Sequence, residues 1–496
     1  MLEALSAKLT ELLSYNSSSP LIFSSGLFLY LFVAFLLGYR LLRNTMTLRI
    51  LYVVAFSLYF YYKSSGLYFV LLLLAATYDY VIGYSLYLTK NRTMRRLLVA
   101  MSVAINLGML GYFKYTNFLV DISNQLFGEG FLQFQNIFLP VGISFFVFQS
   151  MSYTIDIYRR QLRPLDSWLD YLFYLSFFPQ LVAGPIVRAK DFIPQIRRRP
   201  VVTREMLGGA VFLILTGLFK KAVISDYIAL NFVDRIFDEP LLYSGFECLM
   251  GLYGYALQIY CDFSGYSDMA IGLALMMGFR FPKNFDAPYQ SATITEFWRR
   301  WHISLSSWLR DYLYISLGGN RKGNRRTYLN LLLTMLLGGL WHGAALRFVL
   351  WGALHGVALA VHKMWLSVVP WAKKDGASMN FLMRLFGVVL TFHIVCLGWL
   401  VFRADSMQTA MLLLHQIFTN FDTSLIPQVV EGYAFSMLLI GVGYLLHFVP
   451  TRVDGWMQGV VSRAPMVVQV ALIVAVAWLV MQVKSSDIQP FIYFQF

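Results

Sequence analysis

Long stretches without any Asp, Glu, Lys or Arg alternate along the chain with short, charge-rich connections. Leu21–Tyr39, Leu97–Phe113, Phe131–Ile155, Thr327–Leu346, Leu385–Phe402, Gly432–Thr451 and Ala464–Val483 are all free of those four residue types. Most are long enough to cross a hydrocarbon core of about 30 Å as a helix. Shorter or singly charged runs, such as Met206–Phe219 and Gly66–Leu88, fall between them. The pattern predicts an all-α polytopic membrane protein with roughly 11–13 membrane-embedded helices, some of them re-entrant. The first apolar run begins only at Leu21 and meets Arg40 and Arg43 with no small-residue cleavage site before them. It therefore reads as the first spanning helix and not as a signal peptide. Residues 1–20 read as an N-terminal extension, interfacial or mobile, and residues 21–496 as a single transmembrane domain.

Two segments break the apolar texture. Residues 156–205 mix Arg, aromatic and Pro/Gly positions, including Pro179-Gln-Leu-Val-Ala-Gly184-Pro185, and residues 281–326 are again polar and aromatic. Non-helical backbone at membrane depth must be buried in protein or line a cavity. No internal repeat of the kind that marks inverted-repeat transporters is visible.

Composition sharpens this picture. The 496-residue chain is 58% hydrophobic and 13% charged, where a soluble protein averages about 25% charged. The net charge of +14 would suit nucleic acid, but its distribution does not. Lys and Arg cluster in short connections: Arg40/Arg43/Arg49, Lys90/Arg92/Arg95/Arg96, Arg159/Arg160/Arg163, Arg197/Arg198/Arg199 and Lys220/Lys221. This is the positive-inside pattern. The first three clusters follow the first, third and fifth helices, which places the N-terminus outside the cytoplasm. Cys248, Cys261 and Cys396 stand in apolar surroundings without a CxxC pair, so neither a disulfide framework nor a zinc site is expected. Cys261 beside Asp262 could be a nucleophile, but a small apolar packing residue is the commoner case.

Three constellations could carry chemistry. The first runs from Phe281-Pro-Lys-Asn284 through Trp298-Arg-Arg300-Trp301-His302-Ile-Ser-Leu-Ser306 to Tyr312. Thr293 and Glu296 have capping-box spacing, so a helix is expected to start there. On it Trp298, His302 and Ser306 would share one face, beside a stripe of Trp301, Leu305 and Trp308. An interfacial anchor of Trp and snorkelling Arg is the plain alternative. The second is Gly338-Gly-Leu-Trp341-His342-Gly343, a histidine inside an uncharged run. An ionisable group at membrane depth marks a functional site by default, and its flanking glycines admit close approach of a backbone or a substrate. A histidine that only bonds across helices is the alternative. The third, Asp262-Phe-Ser264-Gly-Tyr-Ser-Asp268, would hold the backbone of a broken helix, line a tunnel, or form a loop at the membrane edge. His355, His362, His393, His415 and His447 read as structural.

A neutral histidine in a dry site suits proton abstraction from a hydroxyl that attacks a thioester or ester. A second histidine could orient the reactants or stabilise the oxyanion. Arginines at the cytoplasmic mouth could hold the phosphates of a carrier such as coenzyme A. No HxxxH pair is present, so no metal is expected.

These motifs closely resemble the membrane-bound O-acyltransferase family. The likeness rests on Trp298-Arg-Arg-Trp-His302-Ile-Ser-Leu-Ser-Ser-Trp308, Asp311-Tyr-Leu-Tyr-Ile315 and Gly339-Leu-Trp-His342-Gly343. It extends to Pro140-Val-Gly-Ile-Ser-Phe-Phe146, Phe178-Pro-Gln-Leu-Val-Ala-Gly-Pro-Ile186, Asp262-Phe-Ser-Gly-Tyr-Ser-Asp268 and Phe281-Pro-Lys-Asn-Phe285. Phe402-Arg-Ala-Asp-Ser406 and Pro490-Phe-Ile-Tyr-Phe494 look like the bacterial branch that serves alginate O-acetylation and teichoic-acid D-alanylation. The resemblance implies a helical bundle around a central tunnel and a catalytic histidine at His342, with His302 in the family's second polar position. It further implies a protein of the bacterial inner membrane that moves an acyl group from a cytoplasmic thioester to an extracytoplasmic polysaccharide, with an extracytoplasmic SGNH-hydrolase-type partner. Acetyl-CoA, or an acyl-carrier thioester in its place, would be a donor substrate and not a permanently bound cofactor. A transporter or lipid-translocating protein without acyl chemistry is the rival reading, and D-alanyl transfer from a carrier protein is another.

Overall fold

The computed structural model describes residues 12–16, 20–369 and 380–483. Most of the N-terminal extension and the Pro490–Phe494 motif lie outside these residues. Every regular element among the described residues is helical. Five helical stretches are long and apolar enough to cross a membrane: Met46–Leu88, Arg92–Phe127, Arg204–Asp238, Leu346–Val368 and Phe381–Arg403. Two bent pairs, Thr423–Gly432 with Ala434–His447 (95°) and Arg452–Arg463 with Met466–Val480 (118°), raise this to seven if each is one span. Met46–Leu88 itself contains two 20-residue helices interrupted at Gly66, where φ is 61°. Each half is about 30 Å long, so each can cross on its own.

By internal contacts the chain divides into two compact units, residues 1–210 with 269–282, and residues 211–268 with 283–496. In the first unit, α1 (Gly26–Leu41), α2 (Met46–Ser65), α3 (Phe69–Leu88), α4 (Arg92–Leu110), α5 (Thr116–Phe127) and α6 (Ile143–Tyr158) are followed by the shorter α7 (Trp168–Ser176). Their core is aromatic: the Phe178 ring packs against Phe23, Phe28, Phe32, Phe35, Phe56 and Phe60. The Pro/Gly-rich stretch around Phe178 is buried in protein, one of the two settings in which irregular backbone survives at membrane depth. Basic residues from the connections also tie helix ends. Arg95 donates to the carbonyls of Tyr158 (2.7 Å) and Ile157 (3.3 Å), where a helix C-terminus favours a cation. Of the N-terminal extension, Leu12 and Ser14 are held through their carbonyls by Tyr59 Oη (2.7 Å) and Lys63 Nζ (2.6 Å) of α2.

The second unit holds most of the 32-residue α8 (Gly245–Met276), the short α9 (Ile294–Arg300) and α10 (Ile303–Trp308), the paired α11 (Gly323–His342) and α12 (Leu346–Val368), and α13 (Phe381–Arg403). α11 and α12 form a tight hairpin. A Cβ on Gly339 would lie 2.1 Å from the Phe348 carbonyl oxygen, and one on Gly352 would lie 2.3 Å from that of Met335. The two backbones touch directly, which only glycine permits.

Candidate active site

α9 begins as its sequence predicts. The Thr293 hydroxyl accepts from Glu296 N–H (3.1 Å). The return bond differs from a strict capping box, because Glu296 Oε2 accepts from Ala292 N–H (2.9 Å) and not from Thr293. The helix does not run through His302, as its spacing suggests it should. It ends at Arg300, and His302 takes a left-handed backbone (φ 42°, ψ 56°) before α10 starts. Trp298, His302 and Ser306 therefore do not share a helix face. Ser306 instead turns its hydroxyl back to the Trp301 carbonyl (3.1 Å).

Asn284 holds this break. Its carbonyl accepts from Ile303 N–H (2.9 Å), and its Oδ1 accepts from Ser304 N–H (3.1 Å) and Ser304 Oγ (2.9 Å). Its amide donates to Ser267 on α8 (3.1 Å). Arg300 closes the other side, paired with Glu296 (2.8 Å) and donating to the Asp286 carbonyl (3.3 Å).

The break points the His302 ring into an aromatic enclosure. Its centroid is 4.5 Å from Phe263, 6.1 Å from Phe285 and 6.2 Å from Trp341. The ring is wholly buried, and neither nitrogen has a hydrogen-bond partner among the described residues. His342 is 4% exposed at the last position of α11. Its centroid is 4.9 Å from Trp341, 5.0 Å from Trp351 and 5.4 Å from Phe402. The two histidines, 40 positions apart in sequence, thus both pack against one indole, Trp341. The glycines beside His342 serve the protein's own packing: a Cβ on Gly343 would lie 1.9 Å from the Phe348 ring.

The enclosure also holds His355, which the sequence reading takes as structural. Its ring is fully buried, 4.8 Å from Trp351 and 5.2 Å from Trp298, and both its nitrogens lack a hydrogen-bond partner among the described residues. The available signal was its place between Gly352 and Gly356, which mirrors the glycine setting of His342. His447 accepts from Tyr289 N–H (3.0 Å), and His393, His362 and His415 pair with Tyr253, Thr295 and Thr419. Trp301 packs on Trp399 (4.8 Å) and on the enclosure residue Phe285 (5.1 Å), while Tyr312 packs on Trp308 (5.1 Å).

The third constellation is neither a loop nor a broken helix. Asp262, Ser264 and Asp268 sit inside the continuous α8. Asp262 pairs with Lys221 (2.5 Å) and Asp268 with Lys220 (2.8 Å), while Lys221 also meets Asp226 (2.7 Å). Lys220 and Lys221 lie in a π-helical segment, Phe219–Ser225. This places the two basic residues, read as part of a connection, against the acids of a neighbouring helix.

Residues 146–402 match the membrane-bound O-acyltransferase (MBOAT) family, and the chain belongs to it: the protein is a membrane O-acyltransferase. It is 38% identical to the probable alginate O-acetylase AlgI of Pseudomonas putida, over 96% of this chain and 100% of that protein. It is 34% identical to the peptidoglycan O-acetyltransferase of Helicobacter pylori, over 81% of each. With the teichoic acid D-alanyltransferase of Bacillus subtilis it shares 29% identity over 54% of this chain and 69% of that one.

Proposed function

We propose that the protein transfers an acetyl group from a cytoplasmic thioester, acetyl-CoA or an acyl-carrier protein, toward a polysaccharide hydroxyl outside the cytoplasm. The observation that carries this reading is the alginate O-acetylase relative, similar along nearly the whole chain. The D-alanyltransferase relative covers much less of it, so acetyl is preferred to D-alanyl. His342 is the base. A neutral imidazole accepts the acceptor's proton as its oxygen attacks the thioester carbonyl, and then returns a proton to the leaving thiolate. The aromatic enclosure keeps water from the ring, which disfavours hydrolysis of the thioester. His302, against the same indole of Trp341, orients the reactants or donates to the oxyanion. An SGNH-hydrolase-type partner receives the acyl group outside the membrane. The protein sits in the bacterial inner membrane with its N-terminus extracytoplasmic, as the loop charges support.

The test is purified protein reconstituted with acetyl-CoA and the extracytoplasmic partner, with free thiol as the readout. Wild type releases thiol, and His342→Ala lowers the rate by roughly 10²–10⁴-fold, the usual contribution of a general base. Wild-type turnover in that variant sinks the assignment of His342. A protein that only transports would release no thiol in either form.

A further inference from the structure

A second buried polar centre occupies the first unit, and the acyl chemistry makes no use of it. Asp79, in the middle of α3, is fully buried within the apolar stretch Met46–Leu88. Among the described residues its carboxylate has no Lys, Arg or His partner. It accepts instead from three neutral groups: Ser102 Oγ (2.5 Å) and Asn106 Nδ2 (2.8 Å) of α4, and Ser150 Oγ of α6. The network continues from Ser102 to Thr154 Oγ1 (2.9 Å) and from Ser150 to Tyr171 Oη of α7 (3.0 Å). Four helices thus converge on one uncompensated carboxylate in a setting where a bare charge is expensive.

A further observation points to a ligand. Asn106 is fully buried and its amide nitrogen is spent on Asp79 and on the Ser102 carbonyl (3.0 Å), yet its Oδ1 has no hydrogen-bond partner among the described residues. Flipping the amide would aim that oxygen at the carboxylate, so the orientation is fixed by charge. The cluster therefore offers a carboxylate, an unmet amide oxygen and several hydroxyls. A hydroxyl that donates to Asp79 still keeps lone pairs for a cation. Such an all-oxygen set is what hard cations select, with no nitrogen or sulfur ligand to favour a transition metal. One carboxylate neutralises one positive charge.

We propose that Asp79, Asn106, Ser102, Ser150 and Thr154 form a binding site for a small monovalent cation, Na⁺, which clamps α3, α4 and α6 together. A ligand that binds the folded state alone raises its stability with concentration. The test is thermal unfolding of the purified full chain, followed by tryptophan fluorescence, as NaCl replaces choline chloride at constant ionic strength. Wild type gains on the order of a few degrees in Tm between about 1 and 100 mM Na⁺, and ²²Na⁺ binds at one ion per chain. Asp79→Asn loses both responses. Ser102→Ala removes one ligand while keeping the carboxylate, and it shifts the Na⁺ midpoint upward about tenfold or more; it serves if the Asp79 variant does not fold. Equal Tm values in Na⁺ and choline overturn the proposal, as does an undiminished Na⁺ response in both variants. A wild-type Tm that follows pH but not Na⁺ overturns it too, and assigns the carboxylate to a proton.

Discussion

His302 keeps a backbone conformation that costs a non-glycine residue on the order of 1–3 kcal/mol. Asn284 offsets that cost with the bonds it makes across the break. Asn284→Ala should therefore lower stability by roughly 1–3 kcal/mol, because Ser304 N–H is left unsatisfied in a buried setting, and it should slow acyl transfer by releasing the His302 ring. Asn284→Asp keeps the acceptor and should retain more of both. Thermal unfolding and thiol release on the two variants check this, and equal effects of the two substitutions would contradict it. At this scale the structure brings together side chains that the sequence singles out: Asn284, His302, Trp341 and His342 all appear in or around one enclosure. It did not reveal the left-handed turn. Helical spacing continues smoothly through Trp298, His302 and Ser306, and no glycine or proline marks the interruption. The turn is imposed by Asn284 from a separate segment, a contact that no local pattern encodes.

At the scale of elements, two contacts invite measurement. Lys221 is the buried partner of Asp262. Lys221→Met should cost about 3–5 kcal/mol by stranding a buried carboxylate, whereas Lys221→Met with Asp262→Leu should recover most of that loss. Chemical or thermal unfolding of the single and double variants distinguishes these outcomes. Gly339→Ala should destabilise by an amount on the order of 3 kcal/mol, since its methyl would meet the Phe348 carbonyl oxygen and the backbones would have to separate. Gly455→Ala, where an added Cβ meets nothing, is the matched control and should be neutral or nearly so. The same contacts explain why residues 262–268 read as a break or an edge loop. Acids and hydroxyls within an apolar run read locally as a break, but here each acid finds a lysine on a segment 41 or 48 positions earlier. The helix continues because its polar groups are satisfied from outside it.

For the molecule as a whole, the charge-free runs were sufficient to announce an all-helical membrane protein. They were less able to number its crossings. Several runs form short, kinked or paired helices: the break at Gly66 and the 95° and 118° bends are invisible in hydropathy. The proposed orientation rests on the basic connections. Single cysteines introduced at Lys90 and Glu129, after replacement of the three buried native cysteines, should react with a membrane-impermeant maleimide from opposite sides, Lys90 from the cytoplasm. Labelling of both from one side would refute the orientation. The α11–α12 hairpin adds a consequence for biogenesis. Its helices are joined by only Gly343–Ala345, and they meet through residues close in sequence, the kind of contact that forms early. A ribosome that has just released Val368 has therefore already delivered His342, Trp341, Trp351 and His355 to the bilayer as one pre-paired insert. The later helices do not have to find His342; they arrive around it.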